Sequence, residues 1–88
     1  MAGRESRVVL VTGASSGLGA AIVEACSAAG YRVALAARRR DRLEALARKV
    51  ARPDALLPLC ADMRDPESIR AMVEQTRLRF GRIDALVA

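Results

Sequence analysis

The stretch Val8-Val9-Leu10-Val11-Thr12-Gly13-Ala14-Ser15-Ser16-Gly17-Leu18-Gly19-Ala20 decides the fold. Val8 to Val11 are β-favouring and apolar without alternation, the pattern of a strand covered on both faces. Glycines follow at 13, 17 and 19, and apolar residues at helical spacing then continue through Leu18, Ile22, Ala25, Cys26 and Ala29 to Gly30. A strand that turns through glycines into a helix presents unpaired backbone N–H groups and about half a positive charge. Gly13 suits the sharp turn, Gly17 the close approach of an anion to the backbone, and Gly19 the tight packing of helix on sheet. Ser15, Ser16 and Leu18 complete the loop and count with the glycines as candidate binding positions. No acidic residue occurs between Glu5 and Glu24, so this helix start carries no side-chain anion of its own. A glycine-rich turn that only permits close packing is the plainer reading. The strand before it and the helix after it favour anion binding. No Gly-Lys-Ser or Gly-Lys-Thr follows, which excludes a nucleoside-triphosphate P-loop.

Outward from this loop, apolar runs alternate with helical periodicities. The further runs are Val33 to Ala37, Leu56 to Ala61 and Ile83 to Val87. Between them, Leu43, Leu46, Ala47 and Val50 mark a second helix, with Asp41 and Glu44 available to cap it and Pro53 after its end. Asp65 and Pro66 open a third, which turns Ile69, Met72, Val73, Thr76 and Phe80 inward and stops at Gly81. The order βαβαβαβ predicts an α/β fold of Rossmann type, a parallel sheet of strand order 3-2-1-4 cut off after the fourth strand. Pro58 removes a ladder donor from the third strand, and that order places this strand at an edge, where a proline is tolerated.

In dinucleotide-binding folds a carboxylate about 20 residues beyond the glycines holds the ribose 2′-hydroxyl. Here Ala37 occupies that place, and Arg38, Arg39 and Arg40 follow. Guanidinium groups grip a phosphate bidentately, so Arg38 and Arg39 point to a 2′-phosphate, and NADP(H) is preferred with NAD(H) admissible. The plainer reading is a solvated loop. Three adjacent positive charges before a helix start oppose its dipole, and a bound phosphate would relieve them.

Composition narrows the classes. The 88 residues make one small domain, with a net charge of +5 carried by arginine except for Lys49. The arginines are scattered and lack interleaved aromatics, which argues against nucleic acid as a partner. No apolar run reaches the length of a membrane span and no leader segment is evident, so a cytoplasmic protein is expected. Cys26 and Cys60 show no metal or redox spacing and read as small buried hydrophobes in a reducing compartment.

With these residues in view, the chain resembles the short-chain dehydrogenase/reductase family over essentially its whole length. Thr12, Gly13, Gly17 and Gly19 match the family's TGxxxGxG motif, whose spacing differs from the GxGxxG of other dinucleotide sites. The segment Cys60-Ala61-Asp62-Met63-Arg64-Asp65 resembles the family's stretch after the third strand. The resemblance implies that Asp62 contacts the adenine with the Met63 backbone beside it, a capping or loop role being the alternative from the residues alone. Phe80 to Val87 resembles the approach to the family's NNAG motif, with Ala88 where the first asparagine would stand. The implied activity is hydride transfer between NADP(H) and a carbonyl or alcohol, using a YxxxK pair. Tyr31 is followed four residues on by Leu35, and Lys49 lies elsewhere, so the resemblance assigns no catalytic residue here and no metal ligand.

Residues 1–88 are therefore expected to form the N-terminal half of an NAD(P)-binding domain of a longer oxidoreductase. Such a segment would be inactive alone, with the small-molecule substrate and the oligomer interface belonging to the complete enzyme. The alternative is a free-standing nucleotide-binding or interaction module without chemistry. The apolar run Ala85-Leu86-Val87-Ala88 has no charge or proline to blunt a strand edge, which favours the segment.

Overall fold

The computed structural model describes residues 7–14, 17–50 and 52–88. Strand β1 (Val8–Thr12) leads to helix α1 (Gly17–Ala28), followed by β2 (Arg32–Ala37) and α2 (Arg40–Lys49). A single 3₁₀ turn (Pro53–Ala55) precedes β3 (Leu56–Cys60), and α3 (Pro66–Phe80) then leads to β4 (Ala85–Val87). All pairings are parallel and the strand order is β3-β2-β1-β4, as the crossover rule and the element order predict. Pro58 lies opposite Leu35 on β3. Among the described residues this strand pairs only with β2, so alternate backbone positions have no neighbour there to donate to.

Both faces of the inner strands are covered. Val9, Val11, Val33 and Leu35 pack with Val23 of α1 and with Leu43 and Leu46 of α2. On the opposite face Val8, Leu10, Ala34 and Ala36 meet Met72 and Phe80 of α3. The small alanines of β2 thus face Met72 and Phe80, the two largest buried side chains of α3, so small meets large across the layer. Burying one valine or leucine in such a layer contributes about 1.5–3 kcal/mol.

The helix ends follow local chemistry at α3 and depart from expectation elsewhere. The Asp65 side chain accepts from the Glu67 N–H, Pro66 opens the helix, and Gly81 closes it with its N–H on the Arg77 carbonyl. At α2 the N-cap residue is Arg39, which makes no side-chain cap. Asp41, expected to cap, instead pairs with the Arg39 guanidinium at 3.2 Å. Asp41 lies inside the first turn, where its carboxylate takes the Arg39 guanidinium first and the Arg42 and Asp41 backbone N–H groups beside it, which together lower its pKa.

Two inward faces also need correction. In α1 the buried positions are Val23 and Ser27, flanked by half-buried Ala20, Ile22 and Cys26, whereas Ala25 is exposed and Leu18 is 78% exposed. Almost every position of this alanine-rich helix is apolar, so periodicity does not single out a face. In α3, Ile69 points in the same direction as Thr76 and Phe80. It sits in the first turn, outside the cluster formed by Met72, Val73 and Phe80, and stays exposed.

Asp84 joins the start of β4 to the start of β1. Its carboxylate accepts from the Val8 N–H at 2.7 Å, and its own N–H donates to the Val8 carbonyl at 2.9 Å. The Arg82 guanidinium hydrogen-bonds the same carboxylate and, with the Val8 N–H, holds its pKa below the ordinary range. At the other end of this pair the Thr12 hydroxyl donates to the Val87 carbonyl at 3.4 Å.

The packing predicts unequal costs along α1. Val23→Ala should lower unfolding free energy by about 2 kcal/mol, from two lost methyl groups plus a cavity. Leu18→Ala should change it by less than about 0.5 kcal/mol. Urea unfolding of the two variants checks this, and equal losses would restore the face expected from periodicity.

Candidate functional site

Because the strands are parallel, β1, β2 and β3 end on the same side of the sheet. The ladder continues one step beyond their ends. The Ala14 N–H donates to the Ala36 carbonyl at 3.1 Å, and the Ala61 N–H donates to the Ala37 carbonyl at 2.9 Å. The three loops that follow these strands therefore start side by side. They enclose a cleft of about 440 Å³, with Gly13 on the β1 side, Arg38, Arg39 and Arg42 on the β2 side, and residues 61–64 on the β3 side. Its size falls within the roughly 300–1,000 Å³ of small-molecule sites.

At the turn from β1, Gly13 adopts a φ of 66°, a left-handed conformation that L side chains rarely adopt. Gly19, in the first turn of α1, lies directly on this turn. A Cβ there would collide with the Gly13 carbonyl. Helix and strand approach backbone to backbone, and the first turn of α1 contains no acidic residue. Among the described residues no acidic side chain compensates its N-terminal dipole, a polarity that favours an anion.

The cleft gathers Gly13, Arg38, Arg39, Asp62 and Met63 from the positions singled out in the sequence. Gly17, Leu18 and Gly19 lie in the adjoining first turn of α1 and do not line the cleft. Ser15 and Ser16 fall outside the described residues. Sequence reading missed Arg42 and Arg64, which also line the cleft. Both stand within four residues of a position already singled out, and that proximity was the available signal.

Asp62 is fixed from several sides. Its N–H donates to the Ser68 hydroxyl at 2.8 Å. Its carboxylate accepts from the Arg64 backbone N–H at 2.9 Å and from the Arg64 guanidinium at 3.0 and 3.1 Å. These bonds, with the charge of Arg38 nearby, lower its pKa to about 2. It therefore remains anionic at neutral pH and can only accept hydrogen bonds. Oδ2 accepts from the Arg64 guanidinium and keeps acceptor capacity for a further donor.

Cys60 is exposed and is not the buried hydrophobe expected. It is the last residue of the edge strand, and its thiol donates to the Arg38 carbonyl at 3.2 Å, tying down the loop that carries the arginines. Cys26 is half-buried as a packing residue, and that burial raises its thiol pKa. A second cleft of about 330 Å³ lies between Ser27 and Ala28 of α1 and Lys49 and Val50 at the end of α2. Helix C-termini carry negative dipole ends, which disfavours phosphate there.

The geometry makes two predictions. Gly19→Ala should push α1 off the β1 turn and lower stability by about 1–3 kcal/mol, read by thermal unfolding. For Asp62 the folded pKa is depressed, so its contribution to stability is present above the unfolded value and disappears as pH falls through about 2. Arg64→Ala should return the carboxyl towards the ordinary value of about 3.9. A carbon-detected NMR titration of Asp62 measures the change, and an unaltered midpoint would show that Arg64 does not set it.

Comparison with known proteins agrees with this architecture. The family profile described as short chain dehydrogenase matches residues 7–88. An uncharacterized oxidoreductase of Staphylococcus saprophyticus is 40% identical over 83 residues, covering 94% of this chain and 33% of that protein. A probable NADP-dependent dehydrogenase of Dichelobacter nodosus is 41% identical over 80 residues, covering 91% of this chain and 74% of that protein. Among solved structures, a short chain dehydrogenase from Bacillus anthracis superposes with a TM-score of 0.90 at 33% identity, covering 94% of this chain and 34% of the other. A 3-ketoacyl-(acyl-carrier-protein) reductase from Brucella melitensis, complexed with NADH, gives 0.87 at 31% identity, covering 96% and 34%. The C-domain of a bacterial malonyl-CoA reductase with NADP gives 0.86 at 28% identity, covering 92% and 14%. The chain thus spans about a third or less of the length of most of these proteins. It belongs to the short-chain dehydrogenase family, whose fold binds NAD(P)(H).

Proposed function

We propose that this chain is the NADP(H)-binding segment of a cytoplasmic oxidoreductase that transfers a hydride between the cofactor and a carbonyl or alcohol substrate. The observation that carries this reading is the convergence of Gly13, Arg38, Arg39, Asp62 and Met63 on one cleft at the carboxyl ends of three parallel strands. The groups present fit such a cofactor. The acid-free N-terminus of α1 suits the pyrophosphate, with the loop positions Ser15 and Ser16 and the turn Gly17-Leu18-Gly19 supplying backbone donors. The arginines beyond β2 suit a 2′-phosphate, and no carboxylate stands at Ala37 to hold a 2′-hydroxyl. Anionic Asp62 suits the adenine amine, with the Met63 backbone beside it.

The cofactor supplies the hydride when bound. The residues of this chain hold its adenosine and pyrophosphate half, orient it along the carboxyl edge of the sheet, and keep a carboxylate ionised at the adenine. None of them serves as the acid or base of the reaction. The 88 residues are thus a binding element, inactive alone, with the substrate pocket and the catalytic pair supplied by the complete enzyme. The probable NADP-dependent dehydrogenase of Dichelobacter nodosus supports the cofactor preference, and the neighbour solved with NADH marks the alternative.

One charge-assisted phosphate contact of about 1.5–3 kcal/mol corresponds to roughly a ten- to a hundredfold preference. Fluorescence titration should therefore show NADPH binding at least about tenfold more tightly than NADH. Arg38→Asp should reverse that order, and equal affinities in the unaltered protein would overturn the NADP reading.

A further inference from the structure

We infer that the amino edge of the sheet, opposite the cleft, is a docking surface for an acidic segment of a partner protein. Arginines that are scattered along the sequence are gathered there by the topology. In a parallel sheet all strands start on one side, and an arginine stands at or shortly before the start of each. Arg7 precedes β1, Arg32 opens β2, Arg52 precedes the turn into β3, and Arg82 precedes β4. Helix α3 runs back to the same side and adds Arg79 in its last turn. Direct contacts join these positions. The Arg32 N–H donates to the Arg7 carbonyl at 3.0 Å, and the Arg79 guanidinium donates to the Asp54 carbonyl at 2.9 Å. Arg32 and Arg79 both lie over the Phe80 ring, at 6.0 and 5.0 Å from its centroid.

The charges at this edge do not balance. Against these arginines stand Asp54 and Asp84, and Glu24, which lines the smaller cleft beside Arg52, shares it with Lys49. Among the described residues only Arg82 of the group is ion-paired, with Asp84, while Arg7, Arg32, Arg52 and Arg79 enter no ion pair. A basic last turn complements a helix dipole, which accounts for Arg79. It does not account for Arg7 and Arg32, which stand at strand starts, where the net dipole is small.

What the edge already holds selects the occupant. Its one ion pair is guanidinium on carboxylate, and carboxylates brought by another chain would meet Arg7, Arg32 and Arg52 in the same way. The Phe80 ring and the Asp54 carbonyl hold Arg32 and Arg79 in place, so less side-chain freedom is lost on binding. Single-stranded nucleic acid also needs exposed rings on which bases stack. Phe80 is buried and Tyr31 is packed half-buried against the core, so neither offers one.

The test is fluorescence anisotropy of a labelled hexaglutamate peptide with the intact protein, and of a single-stranded hexanucleotide in parallel. At about 0.15 M salt the Debye length is about 8 Å, so only nearby charges count. The peptide should bind, and Arg7→Glu and Arg52→Glu should each weaken it by about fivefold or more. Arg70→Glu changes the net charge equally, but Arg70 lies nine positions before Arg79, about 13 Å along α3. It should weaken the peptide by less than about twofold. These three side chains are exposed, and matching amide spectra establish that each variant is folded. NMR shift changes on adding the peptide should centre on residues 7, 32, 54 and 84. No binding, equal losses from Arg70→Glu and Arg7→Glu, or shift changes centred on Gly13 and Arg38 would overturn the assignment. A hexanucleotide that binds more tightly than the peptide, with the same dependence on Arg7 and Arg52, would make the surface one for phosphate and overturn the acidic-protein reading. The NADP(H) reading concerns the other edge of the sheet and stands or falls separately.

Discussion

Gly19 against the carbonyl of Gly13 is the contact on which the rest of the site depends. It brings a helix onto the turn that precedes it with no side chain between, so the end of β1 and the start of α1 become a single rigid corner. From that corner the dipole of α1 has a fixed direction, and β1 holds its place at the middle of the sheet. The contact costs two glycines their conformational freedom in the unfolded chain, a penalty of about 1 kcal/mol each relative to alanine. The burial of Val9, Val11, Val33 and Leu35 on one face and of Val8 and Leu10 on the other offsets it.

Parallel pairing then does for the loops what the corner does for the helix. With Thr12 opposite Ala36 and Ala37 opposite Cys60, strand ends that are far apart in sequence finish at one level. Residues 13, 38 and 62 meet because each continues a strand whose register is already set, and the charge of Arg38 near Asp62 adds to that placement. Small side bonds adjust the result. The Cys60 thiol holds the β2 loop, Ser68 holds the Asp62 backbone, and Asp84 aligns the start of β4 with that of β1. The chemistry of the cleft is therefore a product of sheet geometry first and of side-chain pairing second.

The strands and their order were legible because both-face burial writes itself as continuous Val, Leu and Ala runs, and because Pro58 is tolerated only at an edge. The α3 boundaries were legible because Asp65, Pro66 and Gly81 each have a local mechanical reason to stand where they do. The inward face of α1 was not legible, since a helix of mostly Ala, Val and Ile offers no contrast from which to read a face. The positions of Arg38 and Asp62 followed from their distance beyond each strand. Which arginines pair within the chain did not follow, because ion pairs such as Arg39–Asp41 and Arg64–Asp62 are decided by rotamers and not by spacing. Cys60 was misread for a similar reason. Burial at the last position of an edge strand depends on which way the pleat faces as the strand ends.

Pro58 has a consequence for growth of the sheet as well as for its order. An open strand edge is an invitation to further pairing, with a neighbouring molecule or with a misplaced segment of the same chain. The imide nitrogen interrupts that invitation midway along β3, where an incoming strand would need a donor and find none. Lateral extension on that side is disfavoured. A strand added to this sheet is better accommodated beside β4, so a single residue at the opposite border biases the direction of assembly.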